Sequence, residues 1–137
     1  MKVFQNKDLG LLILRLSVGL LMLPHGIHKL MNPGAIDYIK TLLEAKALPA
    51  FISYGVFIGE IIAPILIVVG LRTRVSALIL AATAVTILFL GYADKLFTLT
   101  AHGGWVAELP GLFLFGALTL VFTGAGKYAL STKNQWD

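Results

Sequence analysis

Four long apolar runs set the limits on how this chain can fold. They cover about residues 9–30, 51–71, 75–97 and 110–124. A helix needs about 20 apolar residues to cross the ~30 Å hydrocarbon core of a bilayer. The first three runs reach that length, and the fourth reaches it as 106–125, with its flanking residues. The chain is 58% hydrophobic and only 13% charged, whereas soluble domains carry about a quarter charged residues. The expectation is therefore an all-α membrane protein, a four-transmembrane-helix bundle forming one domain over residues 1–137.

The connections differ in character. Asn32-Pro33-Gly34 breaks the first helix. Residues 35–46 then set Ile36, Ile39, Leu42 and Leu43 against Asp37, Lys40, Glu44 and Lys46. That spacing predicts a short amphipathic helix at the membrane interface, between helices one and two. Residues 71–74 leave room only for a tight turn, so helices two and three are expected as antiparallel neighbours. Residues 98–105 read as a loop containing His102-Gly103-Gly104-Trp105, and the polar residues 131–137 as a flexible tail. Lys2 and Lys7 ahead of the first run resemble the start of a signal peptide. Arg15 interrupts that run and no A-x-A-like cleavage site follows, so it reads as a retained helix.

Cysteine is absent. That excludes disulfides, thiolate nucleophiles, iron–sulfur ligation and cysteine zinc sites. A redox role would need a bound cofactor or a partner subunit. The net charge is +4, but the cations flank the apolar runs and no basic stripe interleaves with aromatics. The lipid bilayer, not nucleic acid, is the expected partner. An even number of spans puts both termini on one side, with Lys2, Lys7, Arg72, Arg74, Lys127 and Lys133. The other side holds Lys29, Lys40, Lys46 and Lys95, offset by Asp37, Glu44, Asp94 and Glu108. The cation bias places both termini in the cytoplasm.

Charges inside a membrane are unfavourable by about 2.5–3.5 kcal/mol each on insertion scales, so they face the bundle interior and pair. Arg15 and Glu60 are the two clear cases. At ~1.5 Å per residue they lie ~9 and ~16 Å from the cytoplasmic ends of their helices, within reach of one another. They are the candidates for catalysis, and equally for a structural pair that fixes register. Pro64 leaves the carbonyl of Glu60 without its helical donor, and Gly55 and Gly59 thin the same helix. On helix one, Arg15, Gly19, Met22, Gly26 and Lys29 share a face, with His25 beside it.

The loop brings His102, Trp105 and Glu108 toward the side of His25, His28 and Lys29. Such a set could bind a quinone headgroup, an anion or a metal. No spacing is diagnostic of a metal, and none is assigned. His25, Lys29, His102, Trp105 and Glu108 are the candidate ligand-binding residues, although Trp105 also suits an interfacial anchor. Gly124-x-Gly126 follows no strand and lacks a third glycine, so it is not a dinucleotide fingerprint. With Lys127 and Tyr128 it reads as a helix stop and interfacial anchor.

The ordered pieces Arg15-x-x-x-Gly19, His25-Gly26-x-x-Lys29-Leu30, Glu60, Gly70-Leu71-x-Thr73-Arg74, His102-Gly103, Glu108 and Thr123-Gly124-Ala125-Gly126-Lys127-Tyr128-Ala129-Leu130 resemble the DoxX family of small bacterial membrane proteins. The resemblance runs over nearly the whole chain. It implies a multi-pass protein of the bacterial inner membrane, with members commonly labelled oxidoreductases and one serving as a subunit of a thiosulfate:quinone oxidoreductase. It also includes relatives that act as receptor chaperones or cargo receptors. Where many members close the last motif with Leu-Asp, this chain has Leu130-Ser131-Thr132. Fold transfers better than chemistry across such a family. Three functions follow as expectations. The first is a membrane subunit of a quinone-linked redox system, with quinone as candidate cofactor and a redox partner protein or a second copy as partner. The second is a non-enzymatic scaffold or chaperone, and the third a small-solute carrier.

Overall fold

The computed structural model describes residues 5–137 and is all-helical apart from one isolated bridge, Leu99 to Trp105. Lys2 lies outside the described residues. Five principal helices follow: α1 (Lys7–Met31), α2 (Pro33–Ala45), α3 (Ala50–Val69), α4 (Thr73–Gly91) and α5 (Glu108–Thr123). α1, α3 and α4 are long and apolar enough to cross a membrane, and α5 is a shorter apolar helix of 16 residues.

The starts and stops follow local chemistry. Asn6 caps α1 by accepting from Leu9 N at 3.1 Å. Pro33 forces Asn32 out of helical geometry (φ −126°, ψ 90°) and then opens α2 as its first residue. α3 ends at Gly70 in the left-handed region (φ 73°), where Leu71 N returns to Leu66 O at 3.0 Å. The third apolar run stops being α-helix at Gly91. Only a short 3-10 turn, Ala93–Lys95, continues toward Phe97.

The faces are inverted relative to a soluble protein. Only 33%, 33% and 28% of the spanning windows of α1, α3 and α4 are buried, and Leu21, Leu112, Phe115 and Phe122 point outward. Water does not tolerate so large an apolar surface on a monomer, but lipid does. The core joins Val18 and Met22 of α1, Ile67 of α3, Leu80 of α4 and Phe113 and Leu120 of α5. Ala77, Ala81 and Ala84 face this core from α4 and Ala117 from α5, and small side chains let those two helices pack most extensively.

One end of the bundle gathers the start of α1, the α3–α4 turn and the chain after α5. Lys127 N donates to Asp8 Oδ1 at 3.0 Å. Residues 131–137, expected to be loose, fold back onto the α3–α4 turn. Asp137 is buried, its carboxylate accepting from Ser131 Oγ (2.6 Å), Lys133 N and Asn134 N (3.1 Å each) and Arg72 N (3.2 Å). Arg74 N donates to Trp136 O at 3.1 Å. The bond from Arg72 N helps hold that residue at φ 50°, an unusual conformation for a side-chain-bearing residue. An acid therefore does reach Ser131, from six residues further along. The Ser131 hydroxyl, followed by the backbone N–H groups, keeps the Asp137 carboxyl below its ordinary pKa.

Candidate functional site

Glu60 lies on an interruption in α3. Residues Ile58–Ile62 form a π turn, in which Ala63 N reaches back to Ile58 O. Pro64 explains why: it has no N–H to give to the Glu60 carbonyl, so the ladder loosens one turn ahead of it. α1 packs directly on the freed carbonyl. A Cβ placed on Gly26 would sit 2.6 Å from Glu60 O, so only glycine allows this approach. On the other side, a Cβ on Gly59 would meet the Thr83 Cβ at 2.8 Å.

The Glu60 side chain is fully buried. Lys29 Nζ donates to its Oε2 at 2.5 Å, while Oε1 has no hydrogen-bond partner among the described residues. The pair borders an open cavity of ≈ 690 Å³ lined by residues of α1, α2, α3, α4 and α5 and of the segment after α4. His25, His28 and Lys29 line it from α1, Thr83 and Thr86 from α4, and the remaining walls are largely apolar. The His25 ring packs edge-on against Phe113, 6.0 Å between centroids. α2 closes one wall with Tyr38, Ile39 and Leu42. Lys40, also on α2, is held above its ordinary pKa by Tyr54 first and Asp37 second.

Arg15 does not pair with Glu60, which corrects the sequence expectation. Its guanidinium donates from Nε to Ile67 O (2.9 Å), from Nη2 to Val68 O (2.8 Å), and from Nη1 to Ala125 O and Tyr128 O (3.0 Å each). The reason is register. α1 and α3 run antiparallel, with Gly19 against Pro64 and Gly26 against Glu60. That sets Arg15 beside the last turn of α3, where the carbonyls are short of ordinary i+4 helical donors. Ile67 lies seven residues beyond Glu60, ~10 Å along a helix. Lys29, on the same α1 face as Arg15, is the residue at the level of Glu60.

The other candidates divide. His25 and Lys29 join Glu60 at the cavity; His102, Trp105 and Glu108 do not line it. His102 is exposed in the loop. Trp105 Nε1 donates to Leu96 O at 2.5 Å and its ring lies over Gly111, so it pins the loop to α5. Glu108 is exposed at the first position of α5, with its carboxylate near Gly104. Asp137 and the threonines of α4 were not singled out in the sequence.

Outward apolar helices around the Lys29–Glu60 pair mark a helical membrane protein with polar side chains in its interior. The DoxX family model matches residues 10–93, and the chain belongs to that family. The match takes in Arg15, Lys29 and Glu60 but stops short of His102, Trp105 and Glu108. The chain is also similar to the Bacillus subtilis (strain 168) protein named Putative oxidoreductase CatD. The two are 27% identical over 126 residues, covering 90% of this chain and 85% of that protein. No solved structure matches it.

Proposed function

We propose that this protein is a four-span inner-membrane subunit of a quinone-linked redox system, with both termini cytoplasmic and α2 lying at the interface. The observation that carries the reading is the half-satisfied Lys29–Glu60 pair bordering an apolar cavity. Breaking one partner of a buried hydrogen bond leaves a penalty of about 1–3 kcal/mol, and such a group persists where a ligand satisfies it. The volume falls within the ~300–1,000 Å³ of small-molecule sites. The relative's printed name supports oxidoreductase chemistry. A quinone would supply two-electron, two-proton chemistry that a chain without cysteine lacks.

In this reading Lys29 and His25 hydrogen-bond the headgroup oxygens and Glu60 accepts or returns a proton. Arg15 positions the helices rather than touching the ligand, because its donors are taken by backbone carbonyls. His102, Trp105 and Glu108 shape the outer loop and offer a docking point for the electron-exchanging partner. The test is direct. A short-chain quinone added to purified protein should raise its melting temperature, and Lys29→Met should abolish the rise. An unchanged melting temperature for wild type would remove the quinone assignment.

A further inference from the structure

We propose that the cavity selects amphiphiles whose headgroup carries a hydrogen-bond-donating hydroxyl, and so favours a hydroquinone over its quinone. This rests on the reading of the cavity as a ligand site. Two unmet demands lie side by side there. Glu60 Oε1 is a buried acceptor without a donor among the described residues. Lys29 makes its one hydrogen bond to Glu60, and among the described residues its other ammonium N–H groups have no partner. Lys29 is also the more accessible of the two, its side chain 20% exposed against 1% for Glu60.

A ligand must therefore donate to one group and accept from the other. A hydroxyl does both from a single oxygen. A carbonyl only accepts, which leaves Oε1 unpaired. A carboxylate only accepts and is repelled by Glu60. An ammonium only donates and is repelled by Lys29. The body of the ligand is set by the walls, where Met22, Leu42, Val56, Ile79, Ile87 and Phe113 offer apolar contact. A headgroup lacking the donor forfeits roughly tenfold or more in affinity, the consequence of leaving a buried acceptor unsatisfied.

The test compares a 4-alkylphenol with its methyl ether, binding to purified full-length protein in detergent. The ether keeps the tail and the acceptor oxygen and loses only the donor. The phenol is expected to bind at least about tenfold more tightly, and in Glu60→Gln that preference should fall to within about threefold while the tail still binds. Equal affinity of phenol and ether for wild type overturns the inference, whatever the variant does. A decyl-benzoquinone and its hydroquinone, measured anaerobically, separate the two levels. If the phenol is preferred but neither of these binds, the hydroxyl selectivity stands and the quinone assignment fails. If they bind while phenol and ether are equal, the quinone assignment stands and the selectivity fails. If nothing binds, both are overturned.

Discussion

The two interior-facing cations on α1, Arg15 buried and Lys29 partly exposed, lie apart on one helical face and live under opposite conditions. Arg15 is 1% exposed, and four carbonyls from the end of α3 and the segment after α5 receive its hydrogen bonds. It holds together the end where the chain closes on itself, and apart from the Thr73 hydroxyl no buried side-chain polar atom there lacks a partner among the described residues. Lys29, fourteen residues on, faces a cavity and a carboxylate with one idle oxygen. A planar guanidinium with five fixed donors suits a set of converging carbonyls; an ammonium on a flexible stem suits a site whose partner changes. Each end keeps one buried polar atom without a partner among the described residues, but only Glu60 Oε1 belongs to a residue lining the cavity, so that end is where a ligand has something to supply.

The sharpest way to break this comparison is at the satisfied end. Arg15→Ala should lower stability by about 3–5 kcal/mol, enough to prevent recovery of folded protein, because buried carbonyls lose their donors and a large void opens. Arg15→Lys should recover only part of that, since one ammonium cannot reach four carbonyls. Thermal unfolding in detergent reads both. Next comes Gly26→Val, whose Cβ would press on the Glu60 carbonyl. It should cost about 1–3 kcal/mol as α1 is pushed off α3, and the same assay should show reduced ligand binding.

The ion pair gives the opposite sign. Replacing both partners, Lys29→Met with Glu60→Leu, should be neutral or stabilising by about 1–4 kcal/mol, as for other buried pairs exchanged for apolar residues. A strongly destabilised double variant would mean that the pair holds the fold and is not a site. The smallest effect belongs to Asp137. Its carboxyl is depressed in the folded protein. Its contribution is therefore present above the unfolded carboxylate pKa and disappears as pH falls through the lower folded value. The tail should stay protected from amide exchange at neutral pH and loosen only below about pH 4. Loosening at pH 6 would contradict the clamp.

The helices were legible because hydrophobic length is local information: residues 9–30 and 51–71 need no partner to be read as apolar. So were the break at Asn32-Pro33 and the turn at residues 71–74, where backbone chemistry and run length decide. The partner of Glu60 was not, although Lys29 lay on the same face as Arg15. Depth estimated from helix ends could not resolve the ~10 Å register difference that Gly19 and Gly26 set by their contacts with Pro64 and Glu60. The role of residues 131–137 was hidden for a different reason. Their polarity reads as exposure, yet Asp137 is buried by bonds to residues as distant as Arg72. The loop residues His102, Trp105 and Glu108 carry side chains suited to a site, but sequence gives no distance from loop to cavity.

Native mass spectrometry of protein extracted from its membrane tests the central claim most directly. The wild type should retain a small amphiphile of quinone or hydroquinone mass in stoichiometric amount, and the Lys29→Met/Glu60→Leu protein, still folded, should have lost it. Retention of the same mass by both proteins, or by neither, would contradict a ligand held at the Lys29–Glu60 pair.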